Sequence, residues 1–198
     1  NGTSWASGGT LSIGGYGKTG GGPQDKGQLV SGTPGSRVHN ATYDGSTWTT
    51  ATSMPTARNA TALTGTCAAS IVFGGASPTY LTTAILWDGS SWSETGTANT
   101  TRRAPSMGGT QNDALAFGGY NPAYPSGVAC TEHYDGSAWA VQGNLAVAAK
   151  YGAGAATSPA GAADSFFAAG SDSANLPNSQ LYNAFCSTTL CSNLPVWS

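Results

Sequence analysis

The hexapeptide Tyr43-Asp44-Gly45-Ser46-Thr47-Trp48 returns as Trp87-Asp88-Gly89-Ser90-Ser91-Trp92 and again as Tyr134-Asp135-Gly136-Ser137-Ala138-Trp139, and a trimmed copy, Asn1-Gly2-Thr3-Ser4-Trp5, opens the chain. The Asp-Gly pair predicts a two-residue hairpin turn in which both central residues take positive φ, with glycine supplying it free of a Cβ clash. Each copy therefore reads as strand, tight turn, strand. The tryptophans at 5, 48, 92 and 139 are 43, 44 and 47 residues apart, which is the spacing of four-stranded propeller blades.

Laid over one another, the repeats share more than the turn. A basic residue follows the tryptophan, Arg58 and Arg102 at ten residues and Lys150 at eleven. An apolar strand closing on glycine comes next, predicted near 28 to 32, 69 to 74, 113 to 118 and 164 to 169. Its best copies are Ser70-Ile71-Val72-Phe73-Gly74-Gly75 and Ala114-Leu115-Ala116-Phe117-Gly118-Gly119. A third strand then leads back into the Asp-Gly hairpin, so that each repeat supplies strands a, b, c and d. The sequence predicts an all-β propeller of about four four-stranded blades. The single domain of residues 1-198 divides into repeats at about 6-48, 49-92, 93-139 and 140-198, with 1-5 as an extra d-type strand. The one helical candidate, Asn144 to Lys150, is seven residues long and bracketed by Gly143 and Gly152. In the first repeat the glycine-rich run Gly14 to Pro23 stands where strand a belongs. Its Gly17-Lys18-Thr19 fragment is no phosphate loop, because Ser12 occupies the position where that motif needs glycine.

Only 8% of residues are charged and the formal net charge is -2, with no basic run. The electrostatic attraction that dominates nucleic-acid binding is therefore missing. No apolar stretch approaches the roughly 18 residues of a membrane span, so no membrane insertion is expected and the chain reads as soluble. No charged n-region or signal core precedes Asn1, which leaves open processing or an export route without a trace.

Four cysteines stand at 67, 130, 186 and 191 without the doubled CxxC spacing of a zinc site. Cys186 and Cys191 enclose four residues in a segment with no Asp-Gly turn and are expected to form a local disulfide, leaving Cys67 and Cys130 to pair by default. A disulfide argues for an oxidising compartment. The sequons at Asn1, Asn40, Asn59 and Asn99 point the same way, and Asn40, Asn59 and Asn99 are expected to be exposed glycosylation sites.

Met54-Pro55-Thr56-Ala57-Arg58, the strand closing on Gly74-Gly75, the aromatic ending strand c and the tryptophan of strand d resemble the kelch repeat, over nearly the whole chain in four copies. The resemblance implies a propeller with one blade per repeat. One departure is the hairpin: four residues separate the aromatic from the tryptophan, where kelch repeats usually have more. In this shortened, low-charge, Ser/Thr/Gly-rich form the chain is similar to the kelch-like repeats of bacteriophage tail and bacterial surface proteins.

The kelch resemblance raises the copper enzyme galactose oxidase, whose ligands would be converging imidazoles and tyrosines. The only histidines, His39 and His133, read as strand polar residues in similar places of different blades. A sialidase Asp box needs a residue between Asp and Gly, which none of the copies has, and a glycosidase needs paired carboxylates in a cleft. Asp44, Asp88 and Asp135 are committed to turns. Arg58, Arg102 and Lys150 could line the axis as an anion ring, but bonds to backbone carbonyls are the expected role. The repeated tryptophans read as blade-to-blade core. The expectation is a non-enzymatic structural or adhesive subunit of an extracellular appendage, filament or phage tail, needing no cofactor and self-associating into a homo-oligomer or filament. A carbohydrate-binding module using Tyr80, Tyr120 and Tyr124 is the alternative.

Overall fold

The computed structural model describes residues 4, 7–35, 37–124, 127–156, 165–171 and 175–181. Strands β1 (Thr19–Gly21), β2 (Gly27–Val30), β3 (Asn40–Tyr43) and β4 (Trp48–Thr50) form the first antiparallel sheet in sequence order. The second is β5 (Ala62–Thr66), β6 (Ala69–Phe73), β7 (Thr83–Trp87) and β8 (Trp92–Thr97). The third is β9 (Ser106–Gly109), β10 (Ala114–Phe117), β11 (Thr131–Tyr134) and β12 (Trp139–Gln142). In the fourth, β13 (Ala153–Ala156), β14 (Ser165–Ser171) and β15 (Asn175–Leu181) are described. These are blades of an all-β, propeller-like fold, with the predicted b strands at β2, β6, β10 and β14. The run Asn144 to Lys150 is not helical, as its short length predicts. The glycine-rich run of the first repeat holds strand a as β1.

Each up-and-down blade has two ends. The a–b and c–d turns lie at one, here the turn face. The b–c loops and the segments that carry the chain from d to the next blade lie at the other, the loop face.

The core sits between blades because a b strand is covered on both sides and its side chains alternate direction. Val72 points back, joining Val30 of the first blade and Met54 of the segment that leaves it with Leu63 and Ile85. Ile71 and Phe73 point forward onto Met107, Ala114 and Ala116 of the third blade. Leu115 and Phe117 in turn pack on Ala149 and Leu145, ahead of the fourth. Burying one such large side chain stabilises by about 1.5–3 kcal/mol. The d-strand tryptophans of the second and third blades belong to these interfaces, as expected from their repetition. Trp139 packs on Phe73 of the preceding blade with ring centroids 4.8 Å apart, and Trp92 donates through Nε1 to the Thr52 carbonyl at 2.9 Å.

The hairpin departs from the expected turn. Only its glycine takes positive φ, at 95°, 94° and 94° for Gly45, Gly89 and Gly136. Gly45 and Ser46 are the central pair, flanked by an Asp44 N–H to Thr47 carbonyl bond. Glycine at the first central position is the pattern of a type II′ turn, not the I′ turn that an Asp-Gly centre implies. The aspartate stands before the turn and caps it.

The Gly-Gly that ends strand b is also a conformational requirement. Gly74 and Gly118 have φ of 66° and 64°, and Ser31, at 62°, fills the same place in the first blade. Ser31 is fully buried there and accepts the Thr61 hydroxyl at 3.1 Å.

Cys67 and Cys130 are free thiols, so the pair expected between them is absent. Cys67 lies in the β5–β6 turn at the turn face and Cys130 just before β11 at the loop face, a strand length apart in different blades. A disulfide requires Cα atoms within about 7 Å. The expected Cys186–Cys191 bond, the Asn1 sequon, and completion of the last blade by Trp5 or Trp197 lie outside the described residues. Residues 7–12 are described, and they run along β4: a Cβ on Gly9 would stand 2.6 Å from the Ser46 carbonyl, and the Ser12 and Thr50 hydroxyls are 3.1 Å apart. The same contact recurs one repeat later, where the Thr52 hydroxyl donates to the Ser90 carbonyl at 2.8 Å. The segment after Trp5 thus docks on the first blade as the segment after Trp48 docks on the second.

Two substitutions separate strain from blade contact. Gly35 has φ 68° with open space around its Cβ direction, while at Gly74 a Cβ would sit 2.6 Å from the Arg102 carbonyl of the next blade. Gly35→Ala is expected to cost about 1–2 kcal/mol in chemical denaturation, the left-handed backbone penalty alone. Gly74→Ala is expected to cost about twice that or more, and equal losses would show that the interface yields without resistance.

Candidate functional site

The four innermost strands surround one cavity of about 640 Å³ at the turn face. Its walls are Gly20 and Gly21 of β1, Leu63 to Thr66 of β5, Met107 and Gly109 of β9 and Gly154 of β13, capped by Thr110, Gln111 and Asn112. Glycine recurs here because the inner strands crowd each other. A Cβ on Gly21 would meet Leu63 Cδ2 at 2.9 Å, and one on Gly154 would meet the Phe117 ring at 2.7 Å.

Most polar groups of this wall already have partners. The Thr64 hydroxyl donates to the Gly109 carbonyl at 2.6 Å. Gln111 Nε2 crosses to the second blade and donates to the carbonyls of Ser70 at 3.0 Å and Trp87 at 2.6 Å. Among the described residues, the lining carries no acid, base or thiol. It offers hydroxyls, amides and glycine backbone, a chemistry suited to neutral hydroxylated ligands. Among the described residues, no group of three His, Cys, Asp or Glu stands close enough together to hold a metal ion.

The repeated charges are used elsewhere. Asp44 Oδ1 accepts from the backbone N–H groups of Thr47 and Ser46 and from the Ser46 hydroxyl, at 2.7–2.9 Å, and Oδ2 accepts from the Thr47 hydroxyl. Asp88 repeats this set with Ser90 and Ser91. Asp135 has three of the four bonds, since Ala138 brings no hydroxyl. Each bond favours the ionised form. For Asp44 the two backbone N–H groups lead and the hydroxyls follow, for Asp88 the Ser91 N–H and hydroxyl lead and those of Ser90 follow, and both carboxyls are held far below the usual range. For Asp135 the Ala138 N–H leads, and the value falls to about 2.

Arg58 and Arg102 meet carbonyls, as expected, and not the axis. Arg58 Nη1 donates to Thr83 O at 2.9 Å and Gly74 O at 3.4 Å, and Nη2 donates to the Thr83 hydroxyl. Burial, partly opposed by the charge of Glu94, lowers Arg58 to about 10, so it stays protonated at neutral pH. Arg102 bonds Gly118 O and Cys130 O the same way, and its Nη2 lies 2.6 Å from Glu132 Oε1 in a fully buried ion pair. Glu132 also accepts from the N–H groups of Asn99 and Thr100. Lys150 is not the third member of this set. The equivalent residue is Ala149, whose carbonyl accepts from Gly119 N–H as that of Arg102 accepts from Gly75. Lys150 lies instead over the Tyr120 ring, 5.3 Å from its centroid.

The histidines are not equivalent either. His39 precedes β3 at the loop face and is 5% exposed, its Nδ1 3.5 Å from Lys18 Nζ. Burial, then the charges of Lys18 and Arg37, lower its pKa. His133 lies within β11, with Nε2 2.7 Å from Asp113 Oδ1.

Of the expected ligand contacts, Tyr80 and Tyr120 meet edge to face with centroids 5.8 Å apart. Tyr124 stands apart from that pair, 55% exposed, beside a second cavity of about 290 Å³ that Cys130, Val128 and Asn144 also line. The Asn40 sequon is not open to modification. Asn40 is 1% exposed, accepts from Gln28 Nε2 and donates to Thr52 O, because it sits inside β3 with its side chain turned inward. Asn59 is half-buried, and Asn99 is exposed while its Nδ2 donates to Glu132. The cluster of Lys18, Arg37 and His39 escapes sequence reading. Its only trace is Lys18, inside a fragment that imitates a phosphate loop.

The turn aspartates give a pH dependence of definite sign. A carboxyl whose folded pKa is depressed contributes stability above its unfolded value, here 3.8, and loses it as pH falls toward the folded value, about 2 for Asp135. Stability is expected to drop from about pH 4 downward, and the triple variant Asp44→Asn, Asp88→Asn, Asp135→Asn is expected to flatten that slope. An unchanged slope in urea titrations at pH 4, 3 and 2 would place the acid sensitivity elsewhere. A scan against protein-family models finds no match to this chain, and a comparison with curated proteins finds no significant relative.

Proposed function

We propose that the chain is a non-enzymatic structural or adhesive subunit of an extracellular appendage, filament or phage tail, built on kelch-like repeats. The observation that carries this reading is where the repeated ionisable groups go. Asp44, Asp88 and Asp135 cap turns, Arg58 and Arg102 pin loops, and the described residues lining the axial cavity are neutral. What the repeats maintain is the blade, and a unit whose chemistry is spent on its own rigidity suits a load-bearing or scaffolding role. The low charge and Ser/Thr/Gly-rich surface fit a location outside the cell.

A carbohydrate-binding propeller is the second reading, favoured by the Tyr80–Tyr120 pair and the pocket beside Tyr124. These half-buried, edge-to-face tyrosines from the b–c loops of the second and third blades offer flat apolar surface with hydroxyl tips. Negative-stain microscopy and a glycan array separate the two. Ordered multimers without glycan signal are expected. A strict monomer with millimolar or tighter affinity for a sugar, lost in Tyr80→Ala, would favour the carbohydrate-binding reading.

A further inference from the structure

We propose that this protein stacks on copies of itself face to tail, the turn face of one molecule against the loop face of the next, held by opposite charge. The inference rests on the structural-subunit reading and names its contact. Five of the nine acids, Asp25, Asp44, Asp88, Asp113 and Asp135, lie in the a–b and c–d turns, all at one end. Glu94 and Glu132 lie within strands, and Asp164 and Asp172 fall outside the described residues. Six of the seven cations lie at the other end, in b–c loops or in the segments preceding strand a, and only Lys26 joins the acids.

Two of those six, Arg58 and Arg102, are buried in the blades. Lys18, Arg37, Arg103 and Lys150 keep part of their surface open. Among the described residues the carboxylates that meet a basic side chain are Glu132, on Arg102, and Asp113, on His133, so Lys18, Arg37 and Arg103 find no carboxylate within the described part of their own molecule. On the opposite face the hydrogen bonds to Asp44, Asp88 and Asp135 keep three carboxylates charged throughout the neutral range. Exposed tyrosines border the cations: Tyr16 at 73%, Tyr151 at 58% and Tyr124 at 55% exposure. Tyrosine and arginine are enriched where protein surfaces meet.

The occupant that fits is a second copy. Its acidic turn face is complementary in sign to the loop face and carries the blade spacing of the same propeller. Two like faces would set five carboxylates against five carboxylates. A contact between unlike faces does not close on itself and propagates along the propeller axis. Charge across such an interface steers approach and fixes orientation, and it weakens with salt.

The test is sedimentation velocity of the full chain across concentration at about 20 mM and about 500 mM NaCl, with two face-selective variants. Association without a limiting size is expected at low salt, weakened about tenfold or more at high salt. The loop-face variant Lys18→Gln/Lys150→Gln and the turn-face variant Asp25→Asn/Asp113→Asn, which remove charge without reversing it, are each expected to be monomeric. Mixed one to one they are expected to form a dimer that grows no further, since each retains one competent face. Circular dichroism and thermal melts check that each variant folds, and if one does not, the salt series on the native chain decides alone. A native species that stops at dimer, or a monomer under all conditions, overturns the proposal. Assembly indifferent to salt and to both variants also overturns it while leaving the structural-subunit reading standing. A monomer that captures an anionic glycan on its loop face defeats both.

Discussion

The fold depends on one residue position used in two directions. Arg58 exchanges backbone hydrogen bonds with Arg37 of the first blade at 3.0 and 3.1 Å, while its guanidinium grips the carbonyls of Gly74 and Thr83 in the second. Arg102 bonds through its backbone to Leu81 and Gly75 of the second blade and through its side chain to Gly118, Cys130 and Glu132 of the third. Each arginine is therefore a staple that ties one blade's b–c loop to the next blade's strands. A planar fork with five donors can satisfy several fixed carbonyls at once, which a lysine ammonium on a flexible stem does with less order. At the third junction Ala149 keeps only the backbone half, through Val128 and Gly119, and the side-chain half is replaced by apolar packing with Leu115 and Phe117.

The blade period and the b strands were legible in the sequence because glycine, tryptophan and buried aliphatics each answer to a local rule. Phe73 must be followed by residues that accept positive φ, and Gly74-Gly75 advertises this. Residues whose role depends on tertiary register were harder to read. Lys150 stands one position beyond its expected equivalence, and only the bonding of Ala149 and Gly119 reveals the shift. His39 and His133 look alike in a list of strands, yet one aligns with Cys130 and the other with Thr42. Asn40 carries a sequon that local sequence cannot distinguish from an open one, and its burial follows from the pleat of β3. The cavity was invisible for the same reason: its walls come from four separate repeats, and most of them are glycine and threonine.

Aspartate in the hairpin shows how a right prediction can rest on a wrong mechanism. Asp-Gly was expected to form the centre of the turn. In the structure the aspartate precedes the centre and replaces the missing strand hydrogen bonds of the tip with up to four of its own. Side chains that bond their own backbone two and three residues on are a general turn device. This one explains why Ser follows Gly in every full copy, since that hydroxyl and its N–H converge on the same carboxylate oxygen.

The same geometry fixes where charge can go. In an up-and-down blade the c–d turn and the entry to strand a are at opposite ends, so a repeat that caps its turn with aspartate and staples its entry with arginine places one negative and one positive group at opposite poles. Tandem copies around an axis add these pairs in parallel, except where Glu132 neutralises Arg102 inside the third blade. The polarity of the molecule is thus a by-product of how each blade is held. The other cations extend it: Lys18, Arg37, Arg103 and Lys150 all lie at the positive end, in a b–c loop or in the segments preceding strand a.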